Sequence, residues 1–351
     1  MKRRPSRPVS IGDVGIGGGA PVVVQSMTKT PTQDVDATVK QIEDLRSVGC
    51  ELVRVAVPDL EAASALGKIR SQVSLPIIAD IHFDYRLALA AIENGADGLR
   101  LNPGNIGGKR ELQEIVAAAA PRSIPIRVGV NAGSLDRNIL KKYGHPTAEA
   151  LVESALNHVK MLEDLGFDLI KISLKSSNVS QMVSAYRLLS KKVDYPLHVG
   201  VTEAGTLIAG TVKNALGIGT LLSEGIGDTI RVSLTHNPVA EVKVAYEILR
   251  ALGLRQRGVE IISCPTCGRC QIDLFSMVAE IENALNHITA PLTVAIMGCV
   301  VNGPGEAREA DVGIAGGRGH GTLFKKGKVV KKVPESDLAT VLIAEVKRMI
   351  D

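Results

Sequence analysis

Eight short β-branched runs alternate with helix-period segments from residue 21 to about 252, and a break near GLRQRG (253–258) separates this array from a cysteine-bearing tail. Strands alternating with helices imply right-handed βαβ units and a parallel sheet, and eight of them imply closure into a TIM barrel. The predicted architecture is α/β: a TIM (β/α)8 barrel over residues 1–254, then a smaller α+β domain over 255–351. An open, doubly wound sheet is the alternative for the first part.

The barrel strands are expected at PVVVQSM (21–27), ELVRVAV (51–57), PIIADIHF (76–83), DGLRLNP (97–103), PIRVGVN (125–131), DLIKISLK (168–175), PLHVGVTE (196–203) and DTIRVSL (228–234). Helical segments such as DATVKQIEDLRSVG, YRLALAAIENG and PTAEALVESALNHVKMLEDLG lie between them. Several end at a glycine suited to the position just past a helix. A barrel of this kind should gather polar residues at the C-terminal ends of its strands. Those ends carry Arg54, Asp80, His82, Arg100, Asn102, Arg127, Asn131, Lys171, Ser173, Lys175, Thr202, Glu203, Arg231 and Ser233. Most obey a two-residue period, which turns the polar side chains of a strand to one face and the aliphatics to the other. Glu203 breaks parity with Thr202 and is expected where the strand gives way to its loop.

Six of these side chains are basic (Arg54, Arg100, Arg127, Lys171, Lys175 and Arg231), and around one mouth they repel each other strongly at low dielectric. A multiply charged anion would relieve that repulsion, and arginine offers forked geometry to phosphate oxygens. A diphosphate or cyclic diphosphate fits this charge better than a single carboxylate. The competing reading pairs each cation with a carboxylate inside the barrel, for which Asp80 and Glu203 are the obvious local partners.

The chain's 41 basic and 37 acidic residues give a net charge of +4, too balanced for a polyanion-binding surface. Aromatics are 3% with no Trp, which argues against the stacking platforms of single-strand nucleic-acid binders. No 18-residue apolar run suggests a membrane span, and the basic start lacks the apolar core of a secretory signal. The five cysteines fit reduced thiols in the cytoplasm better than a disulfide framework. The glycine runs GIGGGAP near residue 17 and GIAGGRGHG near residue 315 lack phosphate-loop spacing and read as turns, the first within a hairpin closing the bottom of the barrel. TLFKKGKVVKKV reads as a β-hairpin with a Lys-Gly turn whose lysines are either a solvated face or a guide for an acidic electron carrier.

In the tail, VEIISCPTCGRC places Cys264 after a strand and is expected to place Cys267 and Cys270 at the start of a helix running to about Asn286. LTVAIMGCVVNGPGE is a second strand ending at Cys299, with Glu306 brought near by a Gly-Pro turn. PESDLATVLIAEVKRMI is a capped amphipathic helix. A Cys-x2-Cys pair joined by a distant thiolate is how a chain encloses a metal or an iron–sulfur cluster. Spacing alone allows four thiolates (Cys264, Cys267, Cys270, Cys299), or three with Glu306 as an oxygen ligand, and it also allows zinc. Cys50, in a helix-to-strand turn, reads as an inert buried thiol.

Six runs in order, QSMTKTPTQDVDATVKQI, ADIHFDYRLAL, RLNPGNIG, HVGVTEAG, ISCPTCGR and GCVVNGPGEA, resemble the 4-hydroxy-3-methylbut-2-enyl diphosphate synthase family of the non-mevalonate isoprenoid pathway from about residue 7 to the C-terminus. The resemblance implies a TIM barrel joined to a domain like those of sulfite and nitrite reductases. It implies a [4Fe–4S] cluster on Cys264, Cys267, Cys299 and Glu306, and a homodimer in which one subunit's cluster domain caps the other's barrel. The implied substrate is 2-C-methyl-D-erythritol 2,4-cyclodiphosphate, reduced by two electrons with ring opening and loss of water. Its diphosphate would meet Arg54, Arg100, Arg127, Lys175 and Arg231; Asp80, Asn102, Asn131, Thr202 and Ser233, read from the strand ends, are expected to complete the pocket, and Asn302 in the cluster turn either touches the ligand or caps the turn. Glu203 and His82 are candidates for proton delivery, His82 alternatively only for a hydrogen bond to substrate. Glu306, a weaker donor than a thiolate, could leave and open one iron to the substrate's hydroxyl oxygen. Cys270 is a departure from the family pattern. With no flavin or nicotinamide motif visible, the electrons are expected from a flavodoxin or a ferredoxin. Two rivals remain at this stage: a pterin-handling transferase barrel like dihydropteroate synthase, which has no use for a cluster, and a non-enzymatic cluster-bearing redox sensor or carrier.

Overall fold

The computed structural model describes residues 2–299, 305 and 308–350, with the side chain of Ser134 left aside. The chain divides into two compact units, Met1–Arg255 and Gln256–Asp351. Arg255 is tied to the first, since its guanidinium donates to Val22 O (2.8 Å) and to the Glu51 carboxylate (2.6 Å).

The first unit opens with an antiparallel hairpin, β1 (Val9–Ile11) and β2 (Val14–Ile16). The barrel strands follow: β3 (Val23–Met27), β4 (Leu52–Ala56), β5 (Ile77–Asp80), β6 (Gly98–Leu101), β7 (Ile126–Asn131), β8 (Ile170–Lys175), β9 (His198–Val199) and β10 (Thr229–Ile230). Among the described residues these eight pair in parallel in the order β8-β7-β6-β5-β4-β3-β10-β9. A bridge between Ile172 and Leu197 joins the two ends and closes the ring.

Every strand sits where the alternating pattern predicts, but β9 and β10 pair over only two residues each. Beyond them Arg231 N still donates to Val199 O (3.0 Å), and Gly200 allows the close approach there, since a Cβ on it would run into Arg231 O. Period-2 parity is also realised. Val53, Val55, Ala79, Leu99, Ile126, Val128, Ile170 and Ile172 face the helices in one large core, while Arg54, Asp80, Arg100, Arg127 and Lys171 alternate with them.

The connecting helices are α1 (Val35–Ser47), α2 (Leu60–Arg70), α3 (Tyr85–Glu93), α4 (Lys109–Ala119), α5 (Arg137–Tyr143), α6 (Ala148–Glu163), α7 (Val179–Leu189), α8 (Leu207–Ser223) and α9 (Pro238–Ala251). Asp34, Asp59, Asp84, Thr147 and Asn178 each accept a backbone N–H from the first turn of their helix, worth about 1 kcal/mol apiece. These caps pin the βα loops that frame the mouth. At the opposite end the hairpin acts as a plug, with Val9, Ile11 and Ile16 against Val23, Leu52 and Ile78.

The second unit is a mixed sheet, β11 (Val259–Ser263), β12 (Leu292–Met297), β13 (Val312–Gly317), β14 (His320–Lys325) and β15 (Lys328–Pro334), ordered as numbered. The first three strands run parallel and the last two return antiparallel. Among the described residues two helices, α10 (Leu274–Leu285) and α11 (Leu338–Ile350), pack their apolar residues on it.

Two expectations need correction here. The α10 helix starts at Leu274, capped by Asp273 accepting from Ser276 N (3.3 Å), so Cys267 and Cys270 lie in the preceding turn instead of the helix. The second glycine run is largely strand β13, buried throughout; its glycines leave room for neighbours, since a Cβ on Gly316 would meet Ile272 at 2.6 Å. The Lys-Gly hairpin forms as expected, with Lys326 and Gly327 at φ +46° and +74°. Among the described residues no helix is long and apolar enough to cross a membrane.

Candidate active site

The inward side chains of the barrel strands build the site one strand at a time. Asp80 ends β5 and lies between two guanidinium groups, Arg100 at 3.2 Å and Arg54 at 3.6 Å. Burial by itself would raise the Asp80 carboxyl, but Arg54 and Arg100 outweigh it and hold it at about 2. Arg100 continues to His82, its Nη1 2.8 Å from Nε2. An arginine can only donate, so His82 Nε2 is the acceptor and its proton sits on Nδ1. Exposed but set beside these cations, His82 is pushed below the ordinary histidine range, chiefly by desolvation and against the pull of Asp80. Gly129 makes room for this network, since a Cβ there would stand 2.6 Å from Arg100 Nε.

Arg54 also directs Nε and Nη2 at Met27 Sδ (3.1 and 2.9 Å), a contact the sequence reading did not anticipate. Burial depresses Arg54 to about 10 despite Asp80. Arg127 is 2% exposed and bonds only Ser173 Oγ (3.3 Å), leaving Nε and Nη2 without partners among the described residues. Lys175 ends β8 buried, with no hydrogen bond or ion pair among the described residues. Desolvation, then Arg54, Arg127, Arg231 and Arg100, pulls it well below the usual lysine value.

Arg231 reaches Glu241 on α9 at 3.5 Å. Glu241 was missed by the sequence reading; it also binds Lys29 (3.0 Å), Leu234 N (3.0 Å) and Ser26 Oγ (3.3 Å). An acid in the first turn of a helix reads as a partner for the helix dipole, which hides its second role.

The remaining expected residues sit around this ring. Asn102 Oδ1 accepts from Gly104 N (3.2 Å), Asn131 pairs in register with Lys175, and Ser233 Oγ donates to Val201 O (2.7 Å). Thr202 is half-buried after β9 and Glu203 is exposed at φ +51°, in the loop as its parity suggested. Asn302 and Glu306 lie outside the described residues.

The charges do not balance. Among the described residues, five cations at the mouth (Arg54, Arg100, Arg127, Lys175, Arg231) face two carboxylates, Asp80 and Glu241, and Glu241 is shared with Lys29. Pairing inside the barrel accounts for part of the ring and leaves Arg127 and Lys175 in no ion pair among the described residues, so the cavity is suited to a multiply charged anion.

In the smaller unit, Cys264 follows β11 and donates its N–H to Ile296 O of β12 (3.3 Å), while Cys299 stands two residues past β12. These thiols leave the same end of neighbouring parallel strands. Thr266, at φ +64°, turns the chain between Cys264 and the exposed Cys267. Cys270 Sγ donates to Ile272 O (3.4 Å) and packs beside Gly298, the neighbour of Cys299, where a Cβ would meet it at 2.5 Å. Among the described residues no three His, Cys, Asp or Glu groups converge closely enough to hold a metal ion. The donor chemistry fits a thiolate-bound cluster all the same, with soft thiols outside any disulfide presented from two strand ends. Cys50 contrasts with them: it is buried, donates to Leu52 O (3.1 Å) and is pushed up to about 12 by desolvation.

Two family models match this chain, the GcpE TIM-barrel domain over residues 6–246 and the GcpE protein C-terminal domain over residues 260–348. A protein of Geobacter sulfurreducens named 4-hydroxy-3-methylbut-2-en-1-yl diphosphate synthase (flavodoxin) is 62% identical over 98% of both chains. Proteins of the same name from Thermodesulfovibrio yellowstonii (59% identical, covering 99% of this chain and 100% of that one) and Clostridium acetobutylicum (58%, 99% and 100%) are also similar. Among solved structures, the dihydropteroate synthase of Yersinia pestis superposes with a TM-score of 0.51 at 12% identity, over 70% of this chain and 97% of that one. At that identity the likeness shows the barrel fold alone.

Proposed function

This chain belongs to the GcpE family, and on that footing we propose that it is an oxidoreductase converting 2-C-methyl-D-erythritol 2,4-cyclodiphosphate to 4-hydroxy-3-methylbut-2-enyl diphosphate. Two electrons enter, the ring opens and water is lost. The observation that carries the substrate side is the charge excess at the barrel mouth, with Arg127 and Lys175 in no ion pair among the described residues. Arg54, Arg100, Arg127, Lys175 and Arg231 would bind the two phosphates, and Asp80 holds Arg54 and Arg100 in place for them. Asn102, Asn131, Thr202, Ser233 and Asn302 would complete the pocket.

Cys264, Cys267, Cys299 and Glu306 would hold a [4Fe–4S] cluster, with Cys270 left to its contact with Ile272 O. When bound, the cluster supplies electrons one at a time and Lewis acidity. The chain's own part is to orient and to move protons. Neutral His82, locked by Arg100 at Nε2, would donate a hydrogen bond through Nδ1–H; Glu203, exposed on its loop, would carry protons from solvent. The relatives named for flavodoxin support a flavodoxin donor. Assembly as a homodimer belongs to the same proposal and is checked by sedimentation.

The test is turnover of the cyclic diphosphate by anaerobically purified protein with a chemical reductant. Formation of the open-chain diphosphate supports the reading. Iron- and sulfide-containing protein that leaves the cyclic substrate intact contradicts it.

A further inference from the structure

Below the ring that faces the mouth, the barrel holds charged and polar groups that the proposed reaction does not use. Lys171 lies four residues down β8 from Lys175, about 13 Å at 3.3 Å per residue. His198 opens β9, and its Nδ1 meets Thr229 Oγ1 of β10 at 2.7 Å. Lys171 and His198 are 1% and 0% exposed. Lys171 Nζ and His198 Nε2 have no hydrogen-bond partner among the described residues, nor do both amide atoms of Gln25 on β3.

Cations dominate the surroundings. Lys171 feels Arg127 on β7 and Arg54 on β4, and His198 feels Arg127, Lys175, Lys171 and Arg54. Asp228, which acts on Lys171 from the start of β10, is already bound by Arg3 (3.1 Å), Ser6 (2.8 Å) and Leu197 N (2.8 Å). Tyr186 on α7 donates to His198 O and is pushed upward by burial, so it stays protonated. Below, the apolar plug of Ile11 and Ile16 closes the barrel.

We propose that Lys171 and His198 form a proton-accepting floor to the anion cavity, taking up protons from solvent when a multiply charged anion seats above them and releasing them when it leaves. Burial first, and then Arg127, holds both groups well below their usual values while the cavity is empty. An anion among the cations reverses the sign of the local potential and raises them. The site then carries its greatest positive charge only when filled, which favours multiply charged ligands and tightens binding as pH falls. This inference rests on the reading of the mouth as an anion site.

The test uses holoprotein, purified without oxygen, and sulfate, whose own charge is constant between about pH 7 and 9. Calorimetric titrations in two buffers of different protonation enthalpy count the protons exchanged. Wild-type protein should take up close to one proton per sulfate, with affinity rising up to about tenfold per pH unit lost. Lys171→Met should remove at least half of that uptake and His198→Gln a smaller part. Without ligand, Lys171→Met should melt no lower than wild type, because it deletes a buried amine that has no partner. Sulfate binding without proton exchange, or unchanged uptake in Lys171→Met, overturns the inference and spares the anion site. Failure of wild-type protein to bind sulfate overturns both.

Discussion

In the barrel, mouth-facing charges stand on strands held by their neighbours: Arg100 pairs in register with Asp80 on β5 and Arg127 on β7, and Lys175 on β8 pairs with Asn131 of β7. In the smaller unit the thiols stand beyond their strands, Cys264 one residue past β11, Cys299 two past β12, and Cys267 and Cys270 in the turn before α10. The barrel therefore builds its site before a ligand arrives, and the cost is repulsion among buried cations. The thiol turns supply donors whose arrangement a bound group would complete, so binding there couples to local folding. Losing the anion should leave the barrel intact, whereas losing the cluster should destabilise the smaller unit.

The largest effect should come from the thiols. Cys264→Ala or Cys299→Ala should abolish iron binding and turnover together while sulfate binding to the barrel persists; a variant keeping full iron content would remove that thiol from the ligand set. Next is Arg127→Leu, which should retain iron but weaken the cyclic diphosphate by about 10²–10³-fold, the equivalent of about 3–4 kcal/mol for a buried charged contact. Its melting temperature without ligand should not fall, because Arg127 keeps two unpartnered nitrogens in the empty site.

Asp80→Asn should instead cost about 3 kcal/mol of stability, by leaving Arg54 and Arg100 buried without their counter-charge. The sign in acid follows from the depressed carboxyl. Asp80 stabilises the fold above its unfolded value near 4 and loses that contribution of about 2 kcal/mol as pH falls through about 2. Acid unfolding of wild type and variant should thus converge at the low end.

His82→Gln preserves an acceptor for Arg100 and should reduce kcat/KM by only about tenfold; a loss of 10³-fold or more would make His82 a proton donor instead of an orienting group. The smallest effect is chemical: in apoprotein, iodoacetamide should modify the exposed Cys267 and spare Cys50, whose thiol is held near 12.

How much of this was legible in the sequence follows from what each signal encodes. Two-residue parity marks which side chains share a face, so Arg54, Arg100, Arg127, Lys175 and Arg231 could be read directly from their strands. The same parity places His198 with Gly200 and Thr202, and it was available but unused. Glu241 was hidden because a first-turn acid on a helix has a sufficient local explanation. Met27 could not be found by charge at all. In the smaller unit the start of α10 was misplaced because the cysteines drew attention from Asp273, the actual cap. The buried β13 looked like a turn because its glycines answer to close neighbours and not to backbone reversal. Asn302 and Glu306 fall outside the described residues, so their roles remain expectations of the family resemblance.

The most direct measurement is a crystal structure of the anaerobic holoprotein with the cyclic diphosphate bound. The account requires phosphate oxygens within hydrogen-bonding distance of Arg127 Nη2 and Lys175 Nζ, at the C-terminal mouth of the barrel. Phosphates bound elsewhere, with those two groups still unpartnered, would contradict it.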